Sequence, residues 1–299
     1  MTQRLQLPDG RTMEYAILGG QGALPLIFLH GTPGSWIPAP GLEATCKQKG
    51  IPLITFCRAG YGDSSRQAGR RVVDAVKDVQ ALLDHLGYKK CIVGGWSGGG
   101  PHALACAARL PACAAVVALA TVAPYDAEGL DWLAGQGQDN VEETQMSQKG
   151  EQVLREYLRP QYDEMLKATT AETLQILSSI FPDVDKKCLL ENEEMAEFWE
   201  KGLQQALKKG IDGVVDDDLA FIEPWGFDLA EIKRPVLVYH GNLDLMCPYA
   251  HGHWVAGHIP AQHVTRNLKE GQGHLSIWLG KEGEMLDTLV SLANKTTTC

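Results

Sequence analysis

Short, solidly apolar runs alternate with helix-patterned stretches at both ends of this chain. Residues 11–19 (RTMEYAILG), 24–30 (LPLIFLH), 51–57 (IPLITFC), 91–96 (CIVGGW) and 114–120 (AAVVALA) read as strands. A glycine-rich turn at Gly19-Gly20-Gln21-Gly22 separates the first two. Residues 73–86 repeat apolar side chains at helical spacing and stop at Gly87. Alanine-rich residues 98–109 favour a second helix. Strands apolar on both sides, interleaved with helices, predict a parallel sheet covered on both faces. The rhythm breaks over residues 125–230, which read as helices with few strand candidates. It returns with strands at 235–240 (PVLVYH) and 263–267 (HVTRN) and a closing helix at 276–293. The pattern predicts a core built from residues 1–124 and 231–299, with 125–230 inserted as a helical cap.

Charge sharpens that division. Residues 125–230 hold 24 acidic and 9 basic side chains, whereas the remainder holds 13 acidic and 18 basic. The excess fits either a solvated helical surface or an acidic lid that disfavours anionic substrates and holds cationic ones. The overall charge of −10 speaks against a nucleic-acid partner and an anionic membrane surface. No run approaches the ~18 apolar residues of a spanning helix, so no membrane association is expected. The first residues, MTQRLQLPDG, lack the apolar stretch of a secretory signal. The eight cysteines, at 46, 57, 91, 106, 113, 188, 247 and 299, form no CxxC pair or metal-ligand cluster. They are read as reduced thiols of a cytoplasmic protein without metal or organic cofactor, and terminal Cys299 does not make a prenylation box.

The most informative stretch is GGWSGGG at 94–100, one serine among five glycines on a strand-to-helix turn. Gly95-Trp96-Ser97-Gly98-Gly99 fits G-x-S-x-G, in which a nucleophile sits at strained backbone angles and its second neighbours on either side crowd together. Glycine at 95 and 99 relieves the crowding, and the Gly98 N–H opens a helix whose positive end suits an oxyanion. A glycine-rich turn can also cradle a phosphate, but neither G-x-G-x-x-G nor a P-loop lysine is present.

A serine hydroxyl needs a base, and nine histidines compete for that role. His85 belongs to an amphipathic helix, and His102 sits in the first turn after the serine, pointing away. His251, His253 and His258 lie in or near a helix, His240 ends a strand and His263 begins one. His274 instead occupies the loop EGQGHL after the last strand candidate, where α/β sheets place chemistry. Asp244, in the turn GNLD after PVLVYH, is either a local turn cap or the carboxylate that orients the base. The chain order Ser97, Asp244, His274 favours the second role. After LPLIFLH, the turn HGTPGS can aim a second backbone N–H, that of Thr32, at an oxyanion, with His30 bracing the turn.

Together HGTPGS (30–35), RAGYGDS (58–64), GWSGG (95–99), GNLDLMCP (241–248) and GQGH (271–274) resemble the α/β-hydrolase superfamily over nearly the whole chain. That resemblance implies a mostly parallel eight-stranded sheet flanked by helices, with a cap between the sixth and seventh strands. It also implies a Ser97–Asp244–His274 triad and an oxyanion hole from the Thr32 and Gly98 amides. HGTPG is similar to the HGGPG of proline iminopeptidases, and the layout resembles epoxide hydrolases. Where epoxide hydrolases carry an aspartate nucleophile this chain has Ser97, and where iminopeptidases carry a second glycine it has Thr32.

The expected activity is hydrolysis of a small or medium apolar ester or lactone by a monomer or homodimer. An aminopeptidase, a carbon–carbon hydrolase, and a non-hydrolytic receptor or synthase are the alternatives. His30, Gly31, Trp96, Trp132 and Trp225 are candidate pocket residues, with Phe198, Trp199 and Phe221 as further aromatic wall candidates.

Overall fold

The computed structural model describes residues 2–295, so Cys299 lies outside the described residues. Eight strands form one sheet: β1 (Gln3–Gln6), β2 (Thr12–Gly19), β3 (Leu26–Leu29), β4 (Pro52–Phe56), β5 (Cys91–Trp96), β6 (Cys113–Leu119), β7 (Val236–Gly241) and β8 (Val264–Lys269). Their spatial order is β1-β2-β4-β3-β5-β6-β7-β8. β1 and β2 pair antiparallel, as do β2 and β4, and every later pairing is parallel.

Helices α1 (Leu42–Gln48), α2 (Ala75–Leu86) and α3 (Gly99–Arg109) connect the central strands. Six more lie between β6 and β7: α4 (Gln138–Ser147), α5 (Glu151–Met165), α6 (Thr170–Ile176), α7 (Asp183–Leu190), α8 (Glu193–Ala206) and α9 (Asp212–Ile222). Helix α10 (Tyr249–His258) follows β7, and α11 (Glu282–Lys295) follows β8.

The central strands β3 to β7 are buried along their whole length because both faces are covered. Ile27, Leu29 and Val93 pack with Leu104 and Val255 on one face. Leu26, Phe28 and Ile92 pack with Leu42 and Leu286 on the other, as the two-residue alternation of a strand requires. A third cluster joins the inserted helices through Leu154, Leu158, Tyr162 and Val214 to Cys57 and Tyr61.

Chain order reverses at β3, which lies between β4 and β5 with Leu29 opposite Gly95. This is the switch point at which open α/β sheets hold ligands. The loop after β3 and the turn after β5 leave the sheet there side by side.

Apart from shifts of a residue or two at element ends, the structure departs from the sequence reading at one strand and one helix start. β1 has one buried side chain, Leu5, among polar residues, so it carries no apolar signature. The closing helix starts at Glu282 rather than at 276, because residues before it form turns that end at Gly280, whose φ is +76°.

Candidate active site

β5 delivers Ser97 at its C-terminal end, and α3 begins two residues later. Ser97 has a φ of +55°, a left-handed conformation costing on the order of 1–3 kcal/mol for a non-glycine residue. The turn tolerates no bulk around it. A Cβ on Gly95 would stand 2.2 Å from the Gly99 carbonyl oxygen, and one on Gly98 would stand 2.3 Å from Thr32 Oγ1. The second approach also shows how closely the Thr32 loop abuts the start of α3. Gly98 precedes the helix, so its N–H has no intrahelical acceptor.

Asp244 lies in the turn after β7 and is buried. Its Oδ1 accepts the amides of Met246 at 2.9 Å and Cys247 at 2.8 Å. That leaves Oδ2 for His274 Nδ1, 2.8 Å away. Burial by itself pushes the His274 imidazole down, but the carboxylate of Asp244, with Asp185 behind it, outweighs that and raises its pKa. His274 Nε2 is buried with no hydrogen-bond partner among the described residues, and it shares a chamber with Ser97. The Trp96 indole donates to the His274 carbonyl at 3.3 Å. A second imidazole, His240, stands 3.6 Å from Asp244 Oδ2, but its Nε2 points to the Cys247 carbonyl at 2.5 Å. Burial holds His240 below its ordinary value, against the pull of Asp244.

The loop His30-Gly31-Thr32 is braced from beneath. His30 Nε2 accepts the Arg58 amide at 3.0 Å while Nδ1 donates to the Gly31 carbonyl at 2.7 Å, fixing a neutral tautomer. Burial and the Arg58 guanidinium push this imidazole well below its ordinary value, so it serves as a strut.

Two chambers meet at Ser97. Phe28, Ile37, Trp96, Phe198 and Trp199 wall an apolar one that also includes His30, Gly31 and His274. The other is lined by Trp132, Phe221 and Tyr162, with Asp139, Glu143 and Asp218 at its polar side. Trp225, expected on the pocket wall, is placed elsewhere. It is buried in the core against Phe227, with ring centroids 5.8 Å apart, because the chain after α9 turns back onto the sheet. His102 also stays away from Ser97, its Nδ1 at the Val72 carbonyl, 3.0 Å away.

Residues 25–281 match the α/β hydrolase fold family. This chain belongs to that family. It is 25% identical over 282 residues to an uncharacterized hydrolase, YcgS, of Bacillus subtilis, covering 92% of each chain. In structure it is similar to an esterase from Thermogutta terrifontis, with a TM-score of 0.65, 20% identity and all of both chains covered. It is likewise similar to a proline iminopeptidase of Mycobacterium smegmatis, with a TM-score of 0.63, 17% identity and coverage of 99% of this chain and 98% of the other.

Within this α/β hydrolase, three residues near the site carried no warning in the sequence. Asp185, fully buried on α7, accepts the amides of His274, Leu275 and Ser276 at 2.6, 3.1 and 3.0 Å. Asp217 on α9 accepts the Thr32 hydroxyl at 2.7 Å. Cys247 lines the Ser97 chamber, its thiol raised well above the ordinary value by burial and by Asp244. Each lone residue sits in an ordinary helix or turn, and burial alone reveals its partners. Among the described residues, no cluster of His, Cys, Asp and Glu is arranged to hold a metal ion, and the seven described cysteines are free thiols. No helix of these residues is long and apolar enough to cross a membrane.

Proposed function

We propose that this protein is a serine hydrolase cleaving a small or medium apolar carboxylic ester or lactone through an acyl-enzyme. One arrangement carries the reading. The strained Ser97 shares a chamber with His274, whose Nδ1 is held by Asp244 while its Nε2 is free to take a proton. No hydrogen bond joins Ser97 to His274 in this structure, and such bonds commonly tighten only when substrate binds.

In the first step Ser97 Oγ attacks the carbonyl carbon and its proton passes to His274 Nε2. The carbonyl electron pair moves to oxygen, between the amides of Thr32 and Gly98, each worth about 2.7–4 kcal/mol to the transition state. Collapse of this adduct breaks the C–O bond, and His274 gives its proton to the departing alkoxide. Water, deprotonated by His274, then attacks the acyl carbon and releases the acid, restoring Ser97. The inserted helices, in this reading, form the lid that closes the chambers, and the apolar one takes the acyl or alcohol group.

A panel of p-nitrophenyl esters and lactones tests this beside a fluorophosphonate probe. Turnover of short esters with labelling of Ser97 is expected. Absence of both with well-folded protein points instead to a ligand receptor. Only a neutral imidazole can accept the serine proton. Since His274 is raised, kcat/KM is expected to fall on the acid side through a value above the ordinary 6.5. A pH–rate profile with its acid limb below 6.5 contradicts that assignment.

A second reading rests on the carboxyl groups of Asp139, Glu143 and Asp218, because no Lys or Arg is among the residues lining their chamber. Burial, then the neighbouring Glu143, pushes Asp218 well up. An amine-bearing acyl substrate suits this chamber and an anionic one does not. A carboxylate-bearing ester is expected to lose on the order of tenfold or more in kcat/KM against its neutral counterpart, since a carboxylate buried in this chamber meets no Lys or Arg among the lining residues to offset its desolvation. Aminoacyl anilides run beside the esters separate the two readings. Anilide turnover exceeding ester turnover makes the protein an aminopeptidase.

A further inference from the structure

We propose that Asp217, a residue of the inserted helices, is a positioning residue for the oxyanion hole, acting through the Thr32 side chain. The inference rests on the serine-hydrolase reading above.

Asp217 Oδ2 accepts the Thr32 hydroxyl at 2.7 Å, Arg58 Nη2 at 2.5 Å and the Tyr61 hydroxyl at 2.7 Å. Its Oδ1 pairs with Arg70 Nη1 at 2.6 Å and lies 3.4 Å from His102 Nε2. The carboxylate is fully buried, and Arg58 and Arg70 are nearly so. Arg58 also holds the loop directly, donating to the carbonyls of His30 and Gly31 and, at 3.2 Å, to Thr32 Oγ1. The Thr32 backbone amide therefore belongs to a peptide whose carbonyl neighbours and side chain are all tied to one buried ionic knot.

Arg58 and Tyr61 come from the loop after β4, Arg70 precedes α2, and Asp217 arrives from α9, about 120 residues after Ser97 in the chain. The Thr32 hydroxyl, Arg58 and Tyr61 all meet on Asp217 Oδ2, while Arg70 holds Oδ1 and also donates to the Gly213 carbonyl of α9 at 3.1 Å. Burial works against ionising Asp217, but Arg58 and Arg70 hold its carboxyl well below the usual carboxylate range. It therefore stays an acceptor across the working pH range. A fixed acceptor under the Thr32 hydroxyl sets the direction of the neighbouring N–H, and an oxyanion donor acts only when its direction is set in advance.

The test uses the full chain as wild type, Thr32→Val, Thr32→Ser and Asp217→Asn. It measures kcat, KM, the second-order rate of fluorophosphonate labelling and the thermal midpoint. Thr32→Val keeps the backbone amide and nearly the same side-chain volume, and removes the hydroxyl's two bonds, the one it donates to Asp217 and the one it accepts from Arg58. Its kcat and labelling rate are expected to fall about tenfold to a hundredfold, less than the 10²–10³ typical for loss of a donor itself. Its KM and thermal midpoint are expected to stay near wild type, and Thr32→Ser to restore kcat and labelling. Asp217→Asn is expected to lower kcat likewise. It leaves two buried guanidinium groups undercompensated and endangers the fold, so the decision falls to Thr32→Val. An active wild type with Thr32→Val equal to it in kcat and labelling overturns the inference and leaves the hydrolase reading standing. Loss in Thr32→Val that Thr32→Ser does not restore, or that tracks a lowered thermal midpoint, also overturns it. A folded wild type that neither turns over nor labels overturns both.

Discussion

Ser97→Ala is expected to lower kcat on the best ester by about 10⁶-fold, the scale seen when a serine nucleophile is deleted from a triad. Fluorophosphonate labelling should vanish altogether. The fold should survive, since the substitution removes one oxygen at a turn whose backbone is held by other bonds. The Ser97 N–H donates to the Leu119 carbonyl at 2.9 Å, and its carbonyl accepts the Gly100 amide at 2.8 Å. Alanine at φ +55° costs little more than serine there, because both carry a Cβ. The measurement is steady-state turnover beside a circular-dichroism spectrum and a melting curve. Ester hydrolysis that persists in the variant within tenfold of wild type places the nucleophile elsewhere.

Asp244→Asn is expected to lower kcat about 10⁴-fold with little change in KM, as for a triad whose orienting carboxylate becomes an amide. The cause is geometric as well as electrostatic. Asp244 Oδ1 receives two backbone amides, so an asparagine oxygen is held there and its NH₂ turns towards His274 Nδ1. Two donors then face each other unless the imidazole moves its proton to Nε2, which removes the base. The acid limb of the pH profile offers a second check. Without the carboxylate the dominant influence on the buried imidazole is desolvation, so any residual activity should lose its acid limb to lower pH. Equal losses in binding and turnover, or an acid limb that does not move, contradict the role given to Asp244.

The legible part of this molecule was the part where local pattern and the candidate site coincide. The strands around Ser97 are apolar on both faces, and the glycines of GGWSGGG mark backbone approaches too close for a Cβ, so text and geometry agree. Asp244 and His274 were singled out by their places after strands rather than by their neighbours, and the structure brings them within 2.8 Å of each other. The residues that hold those groups were hidden. Asp185 and Asp217 are single acids in a segment rich in acids, and the feature that sets them apart, complete burial against amides and guanidinium groups, depends on the packing of distant elements. The same blindness explains Trp225. An aromatic residue in a helical stretch has no mark that tells a cavity wall from a core filler, and here the chain returns to the sheet just where Trp225 stands. Strand β1 was missed for a simpler reason, since QRLQ offers no apolar face beyond Leu5.

Asp185 has a practical consequence for anyone redesigning this enzyme. Swapping the region between β6 and β7 for a relative's looks like an exchange of roofs that leaves the workshop below intact. Here a pillar of the roof runs to the floor, because three successive amides beginning at His274 are capped by a side chain of α7. A chimaera without an acid at that point would keep Ser97, Asp244 and His274 in its sequence, yet release the segment that carries the His274 imidazole.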